Sequence, residues 1–243
     1  SGAVSTDNAD AILRFVEQSG LTVAWILDPR GAGELSRMSV APQAAGERIA
    51  EPAPEPTDPT RHPAYREFAQ VVAEVIAPRA VEVDATEVPA SHLDALREIG
   101  YFAWAVPAEH GGAGVPFEVQ HAANNLLFGA DPSTATIVTQ HIGPVLQALR
   151  VGTPQALALL PELAAGERVG GAGFGHVRSW PARRGTVATK VPGGYRVDGA
   201  VGWISGLGLV DTIWLGAVDE DRHEYVFGNG DLRRPGVTPV PRR

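Results

Sequence analysis

Gly193-Gly194-Tyr195-Arg196-Val197-Asp198-Gly199, followed by Trp203-Ile204-Ser205-Gly206, is the stretch on which the reading of this chain turns. Paired glycines predict a tight turn, and the alternating apolar residues after it lead towards an exposed Trp and a hydroxyl. The expected product is a hairpin that delivers an aromatic plate and a hydrogen-bonding group to one spot. A flat, electron-poor cofactor uses that pair of contacts, a face to stack on and a donor for a ring heteroatom. A plain hairpin with a core Trp fits the same residues.

Around this stretch the chain changes character. After Gly166, strand-like runs at Thr186–Val191, Tyr195–Val197, Val201–Ile204, Thr212–Val218 and His223–Phe227 are separated by Gly, Pro and Asp turns. Before Gly166 the periodicity is helical. Tyr65, Phe68, Val71, Val72 and Val75 share one face, in a run limited by Pro78. Ser91 is the expected N-cap of a helix carrying Leu93, Leu96 and Ile99 and ended by Gly100. Phe102–Val106 reads as a short extended piece, and further helices are expected over Glu118–Phe128, Ser133–Leu149 and Pro154–Leu163.

Helices followed by strands, without alternation, predict an α+β fold of two segregated domains. The expected division is a small N-terminal extension over 1–50, a Pro-rich linker over 51–63, a helical domain over 64–166 and a β domain over 167–243. Within the extension, a short helix over Asp10–Gln18 and a strand over Leu21–Leu27 are expected.

Composition removes several function classes. The 243 residues contain no Cys, so disulfides, thiolate metal sites and Cys nucleophiles are excluded. A net charge of −8 argues against a nucleic-acid partner. No apolar run reaches the length of a membrane span, and a cytoplasmic location is expected. Lys190 is the only lysine, and a Gly-Lys-Ser/Thr phosphate loop is missing. Gly171-Ala172-Gly173-Phe174-Gly175 fails the dinucleotide spacing, and strands, not a helix, are expected after it. A Gly-x-Ser-x-Gly nucleophile turn is absent, which weakens a hydrolase reading. The seven histidines show no metal-ligand spacing, so no metal site is expected; His176, in the Gly-rich turn, is the one best placed to meet a ligand. The pairs Arg183-Arg184 and Arg233-Arg234 could bind phosphate, but short surface Arg pairs are usually just solvated.

The order of motifs resembles the acyl-CoA dehydrogenase superfamily from about residue 62 to 240. Glu74-Val75-Ile76-Ala77-Pro78-Arg79-Ala80 is similar to its first helix, and Leu96-Arg97-Glu98-Ile99-Gly100-Tyr101-Phe102 with Val106-Pro107-Ala108-Glu109-His110-Gly111-Gly112 to its helix-to-loop signature. Leu160-Pro161-Glu162-Leu163-Ala164-Ala165-Gly166-Glu167-Arg168 resembles the lead into its β domain, and Trp203-Ile204-Ser205 its Trp-Ile-Thr flavin contact. The resemblance implies a helical N-terminal domain, a β-barrel-like middle domain and FAD, or FMN for the monooxygenase relatives. Trp203 would lie against the flavin ring and Ser205 would keep a hydroxyl near its reactive nitrogen. Gly175 and His176 occupy the place of the family's Thr-Glu-Pro turn, and Ser179 that of a substrate-contacting Ser.

The reaction implied is α,β-dehydrogenation of an acyl thioester, on CoA or an acyl carrier. The family's C-terminal helical domain, with its carboxylate base, has no counterpart in these residues, so the catalytic base is unknown; Glu109 and Glu118 are the acids considered for it. A homo- or hetero-oligomer in which a subunit supplies those helices is therefore expected. A flavin-dependent monooxygenase of the same fold is the alternative enzyme, since those relatives also lack the Thr-Glu-Pro turn. A non-catalytic partner subunit or scaffold is the alternative outside enzymes.

Overall fold

The computed structural model describes residues 58–192 and 194–240. The expected extension over 1–50, most of the linker, Gly193 and residues 241–243 lie outside the described residues.

Helix α1 (Pro63–Val71) starts where a linker was expected to end. Pro59–Arg61 already forms a 3₁₀ turn, Pro63 fills the first helical position, and His62 Nδ1 accepts from the Ala64 N–H at 3.2 Å. Pro78 does not stop the helical path. It lacks the N–H for an i−4 bond, so the hydrogen-bond spacing changes instead: a π turn over Val72–Ile76 and a 3₁₀ turn over Ala77–Arg79 lead into α2 (Ala80–Ala85). Helix α3 (Ala90–Glu98) starts two residues earlier than expected, after Pro89, which places Ser91 inside the first turn rather than at the cap. Tyr101–Ala105 is a 3₁₀ segment, not an extended piece, and its Tyr101, Phe102 and Trp104 are buried.

Helix α4 (Phe117–Ala130) is followed by a run expected to be one helix and found as two, α5 (Pro132–Thr139) and α6 (Ile142–Val151). Pro144 cannot donate to the Gln140 carbonyl, which takes an i+3 bond from the Gly143 N–H at 3.0 Å, and the helix breaks at Gln140-His141. The last expected helix is likewise two short ones, α7 (Pro154–Leu157) and α8 (Leu160–Ala164), with Pro161 in the first turn of the second.

The β region is one five-stranded sheet. Strand β1 (Gly170–Gly173) is not among the strands expected from the sequence. Its glycines are required by close packing: a Cβ on Gly170 would stand 3.0 Å from the His141 carbonyl oxygen. Strands β2 (Thr186–Val191) and β3 (Gly194–Gly199) form the antiparallel hairpin, in register Val191↔Gly194 to Thr186↔Gly199. Strand β4 (Thr212–Asp219) is central. It pairs with β1 in parallel along Thr212–Leu215, touches β2 at Val218, and pairs antiparallel with β5 (Glu224–Asp231) over its whole length. Among the described residues the pairing does not close on itself.

Val201–Ile204 is not a strand. Val201 and Ile204 instead pack against the helical core, where Phe68, Leu96, Phe102, Leu127 and Val138 are buried together with Val169 and Ile213 from the sheet side. The core is therefore continuous across the two layers, and the fold is α+β. Burying side chains of this size contributes roughly 1.5–3 kcal/mol each, before the cost of ordering them.

Candidate functional site

Glycine ends β3 at Gly199, and the chain then crosses from the sheet towards α5. Val201 and Ile204 dip into the core, and Trp203 between them is left 77% exposed. The segment is held by a turn in which the N–H groups of Leu209 and Val210 both donate to the Gly206 carbonyl, at 2.8 and 3.0 Å. Trp203 therefore sits after the hairpin rather than on it. Its indole Nε1–H donates to Ser205 Oγ at 3.2 Å, which fixes the aromatic plate and the hydroxyl relative to one another. The Ser205 O–H has no acceptor among the described residues.

Both residues line an open cleft of about 580 Å³ between this segment, β1 and the 3₁₀ turn Gly175–Ser179. Gly175, His176 and Ser179 line it too, so the cleft brings together all five residues singled out from the sequence. Gly175 has open space around its Cα, whereas Gly185 lies beneath His176: a Cβ there would stand 2.4 Å from His176 Cδ2. Ala172, Ala200 and Gly202 also line the cleft, so much of its wall is free of bulky side chains.

His176 is already partnered. The Thr186 hydroxyl donates to the Gly216 carbonyl at 2.7 Å and stands 2.5 Å from His176 Nε2, which assigns the proton of that contact to the ring nitrogen. Burial holds the imidazole below the ordinary histidine range, with the Gly216 carbonyl pulling the other way. His176 thus presents a neutral ring, anchored through Nε2.

Three lining residues with polar or charged side chains, Gln140, Arg183 and Arg184, were not singled out from the sequence as site residues. Gln140 comes from the break between α5 and α6; its Oε1 accepts from the Ala172 N–H at 3.1 Å. Its legible signal is Pro144 four residues on, which forces the break. Arg183 and Arg184, for which solvation was the first expectation and phosphate binding the alternative, stand on the cleft lip. Arg184 is held by Glu220, with Nε donating to Oε1 at 2.9 Å and Nη2 to Oε2 at 2.5 Å. Glu109 and Glu118, the acids considered as bases, are exposed and do not line the cleft; no carboxylate does. Lys190 lies exposed on β2, away from it. Among the described residues there is no cluster of three metal-ligating side chains, and no helix is long and apolar enough to cross a membrane.

Comparison with known proteins places this architecture. Residues 61–167 match the family model for the acyl-CoA dehydrogenase N-terminal domain. The methanesulfinate monooxygenase of Pseudomonas fluorescens superposes with a TM-score of 0.60 at 23% identity, covering 72% of this chain and 44% of that one. The glutaryl-CoA dehydrogenase of Mycobacterium smegmatis, solved in complex with FADH2, gives 0.60 at 20% identity, covering 71% and 45%. The FMN-bound dibenzothiophene monooxygenase of Paenibacillus sp. A11-2 gives 0.61 at 18% identity, covering 72% and 45%. A β-lactamase hydrolase-like protein of Xylella fastidiosa is 48% identical over 58 residues, 21% of this chain and 14% of that protein. The chain thus spans less than half the length of each of these relatives. Residues 61–167 thus match the acyl-CoA dehydrogenase N-terminal domain, and the chain as described has the acyl-CoA dehydrogenase fold.

Proposed function

We propose that this chain is the flavin-binding part of an acyl-CoA dehydrogenase-type oxidoreductase, acting on an acyl thioester once a further helical domain or partner subunit completes it. The observation that carries the reading is the exposed Trp203 indole, tied to Ser205 on the wall of a cleft large enough for a planar ligand. A tricyclic ring fits this surface: the indole gives it a face, the unpartnered Ser205 O–H gives it a donor, and the small lining residues leave room. A bound flavin would supply hydride acceptance, which no side chain here provides.

The chain's own residues orient and exclude. Trp203 and Ser205 would hold the ring, neutral His176 lines the cleft without charge, and Gln140 fixes β1 through the Ala172 N–H. The base that removes the α proton comes from outside the described residues, because the cleft is lined by no carboxylate. Exposed Ile142 and Leu146, one turn apart on α6, support a partner or further domain packed on that helix.

The same lack of a carboxylate favours a second reading, a flavin-dependent monooxygenase, in which α-proton abstraction has no place. The two separate on substrate: bleaching of bound flavin by an acyl thioester without oxygen supports dehydrogenation, whereas oxygen consumption with an aromatic substrate and reduced flavin supports the second.

The first test is a titration of riboflavin followed by its fluorescence. The wild-type chain is expected to quench it, and Trp203→Ala to weaken binding about tenfold, the equivalent of roughly 1.4 kcal/mol. Absence of binding by the folded wild-type protein would overturn the flavin reading.

A further inference from the structure

The charge at the cleft lip runs against that of the chain. The protein has a formal charge of −8, yet the residues lining this cleft include two arginines and no acid. One of the two is accounted for, since Glu220 neutralises Arg184. Arg183 is different. Its side chain is exposed and has no carboxylate at ion-pair distance among the described residues.

The backbone ties Arg183 to Ser179, and both line the cleft. The Arg183 N–H donates to the Ser179 carbonyl at 2.7 Å, closing a turn that carries both residues onto the same lip. The Ser179 hydroxyl has no hydrogen-bond partner among the described residues. A guanidinium fork with a neighbouring O–H is the donor set that recognises a phosphoryl group, two parallel N–H bonds plus one from oxygen. In a chain whose overall field repels anions, a local cation of this kind is what holds an anionic group in place.

We infer that Arg183, with the Ser179 hydroxyl, anchors a phosphoryl group of the ligand whose planar part stacks on Trp203. This rests on the flavin reading for the planar part alone; the anchor recognises phosphate whichever molecule carries it. Two sources share the chemistry: the phosphate of the flavin nucleotide, and the phosphates of a CoA thioester.

The test compares riboflavin, FMN and coenzyme A on three proteins: wild type, Arg183→Glu, and Arg196→Glu as a control on the exposed face of β3. Flavin fluorescence reads the first two ligands and calorimetry the third. With the flavin as source, wild type binds FMN about tenfold more tightly than riboflavin. Arg183→Glu removes that preference and leaves riboflavin affinity unchanged, and Arg196→Glu alters neither. With the thioester as source, FMN and riboflavin bind alike, and coenzyme A binds wild type and the control but not Arg183→Glu. If riboflavin binds, yet no phosphate ligand distinguishes Arg183→Glu from the control, the anchor is overturned and the flavin reading stands. If riboflavin fails to bind while coenzyme A binds in an Arg183-dependent way, the anchor stands and the flavin reading falls.

Discussion

Gly206 follows Ser205 with a φ of +71°, and a Cβ built there would stand 2.7 Å from Ile137 Cγ2 on α5. Backbone conformation and packing therefore both require glycine, and the contact sets how deeply the Trp203–Ser205 segment sits against the helix. Gly206→Ala is expected to destabilise the fold by about 2 kcal/mol and to weaken riboflavin binding through displacement of Ser205. Urea denaturation and the fluorescence titration read the two effects separately. Trp203 and Ser205 were legible as a pair because aromatic and hydroxyl side chains stand two apart beside glycines. That they share a hydrogen bond, and that His176 is committed to Thr186, was not legible: Thr186 reaches His176 only because β2 and the 3₁₀ turn pack side by side.

The break between α5 and α6 does more than change direction. In β1, successive residues point their N–H groups to opposite edges, so those of Gly170 and Ala172 share the edge away from β4. Both are met by side chains from the break: Gly170 N–H donates to His141 Nδ1 at 3.0 Å and Ala172 N–H to Gln140 Oε1 at 3.1 Å. An exposed strand edge is thereby closed by the helical layer. Gln140→Ala leaves the Ala172 N–H without a partner, at a cost of about 1–2 kcal/mol. Hydrogen exchange should show lost protection at Ala172 with that at Val218 retained; unchanged protection at Ala172 would contradict the assignment. The periodicity of Ser133–Leu149 reads as one helix because apolar residues continue through it. The proline that divides it was in view, but the strand edge that uses the division was not.

Burial holds three histidines below the ordinary range: His92, His141 and His176. His141 is pushed down to about 4, with the carbonyls of Phe102 and Leu163 pulling the other way. His92 stands 2.9 Å from the Thr134 hydroxyl, which itself donates to Asp131 Oδ2 at 2.7 Å. For a base whose folded value is depressed, the unfolded chain binds more protons, so stability rises with pH between the folded and unfolded values. His141 alone therefore contributes stability that is full near neutrality and falls by about 2 kcal/mol on acidification to about pH 5. Urea midpoints at the two pH values should show the loss. His141→Asn, whose amide oxygen can take the Gly170 N–H, should flatten the dependence while lowering stability through lost packing on Phe102.

Periodicity and breakers alone divided the chain into a helical part and a strand-rich part, because local apolar spacing reports which face of an element is buried. Motif order supplied the family resemblance, since each motif is a short run of neighbouring residues. Where Arg183, Gln140 and Trp203 meet was decided by tertiary structure. Those residues are brought to one cleft by the packing of α5 and α6 against β1, and by the burial of Val201 and Ile204 on either side of Trp203. Contacts between residues far apart in sequence leave no local pattern, so the missing carboxylate and the unpaired guanidinium emerged only once the layers were packed.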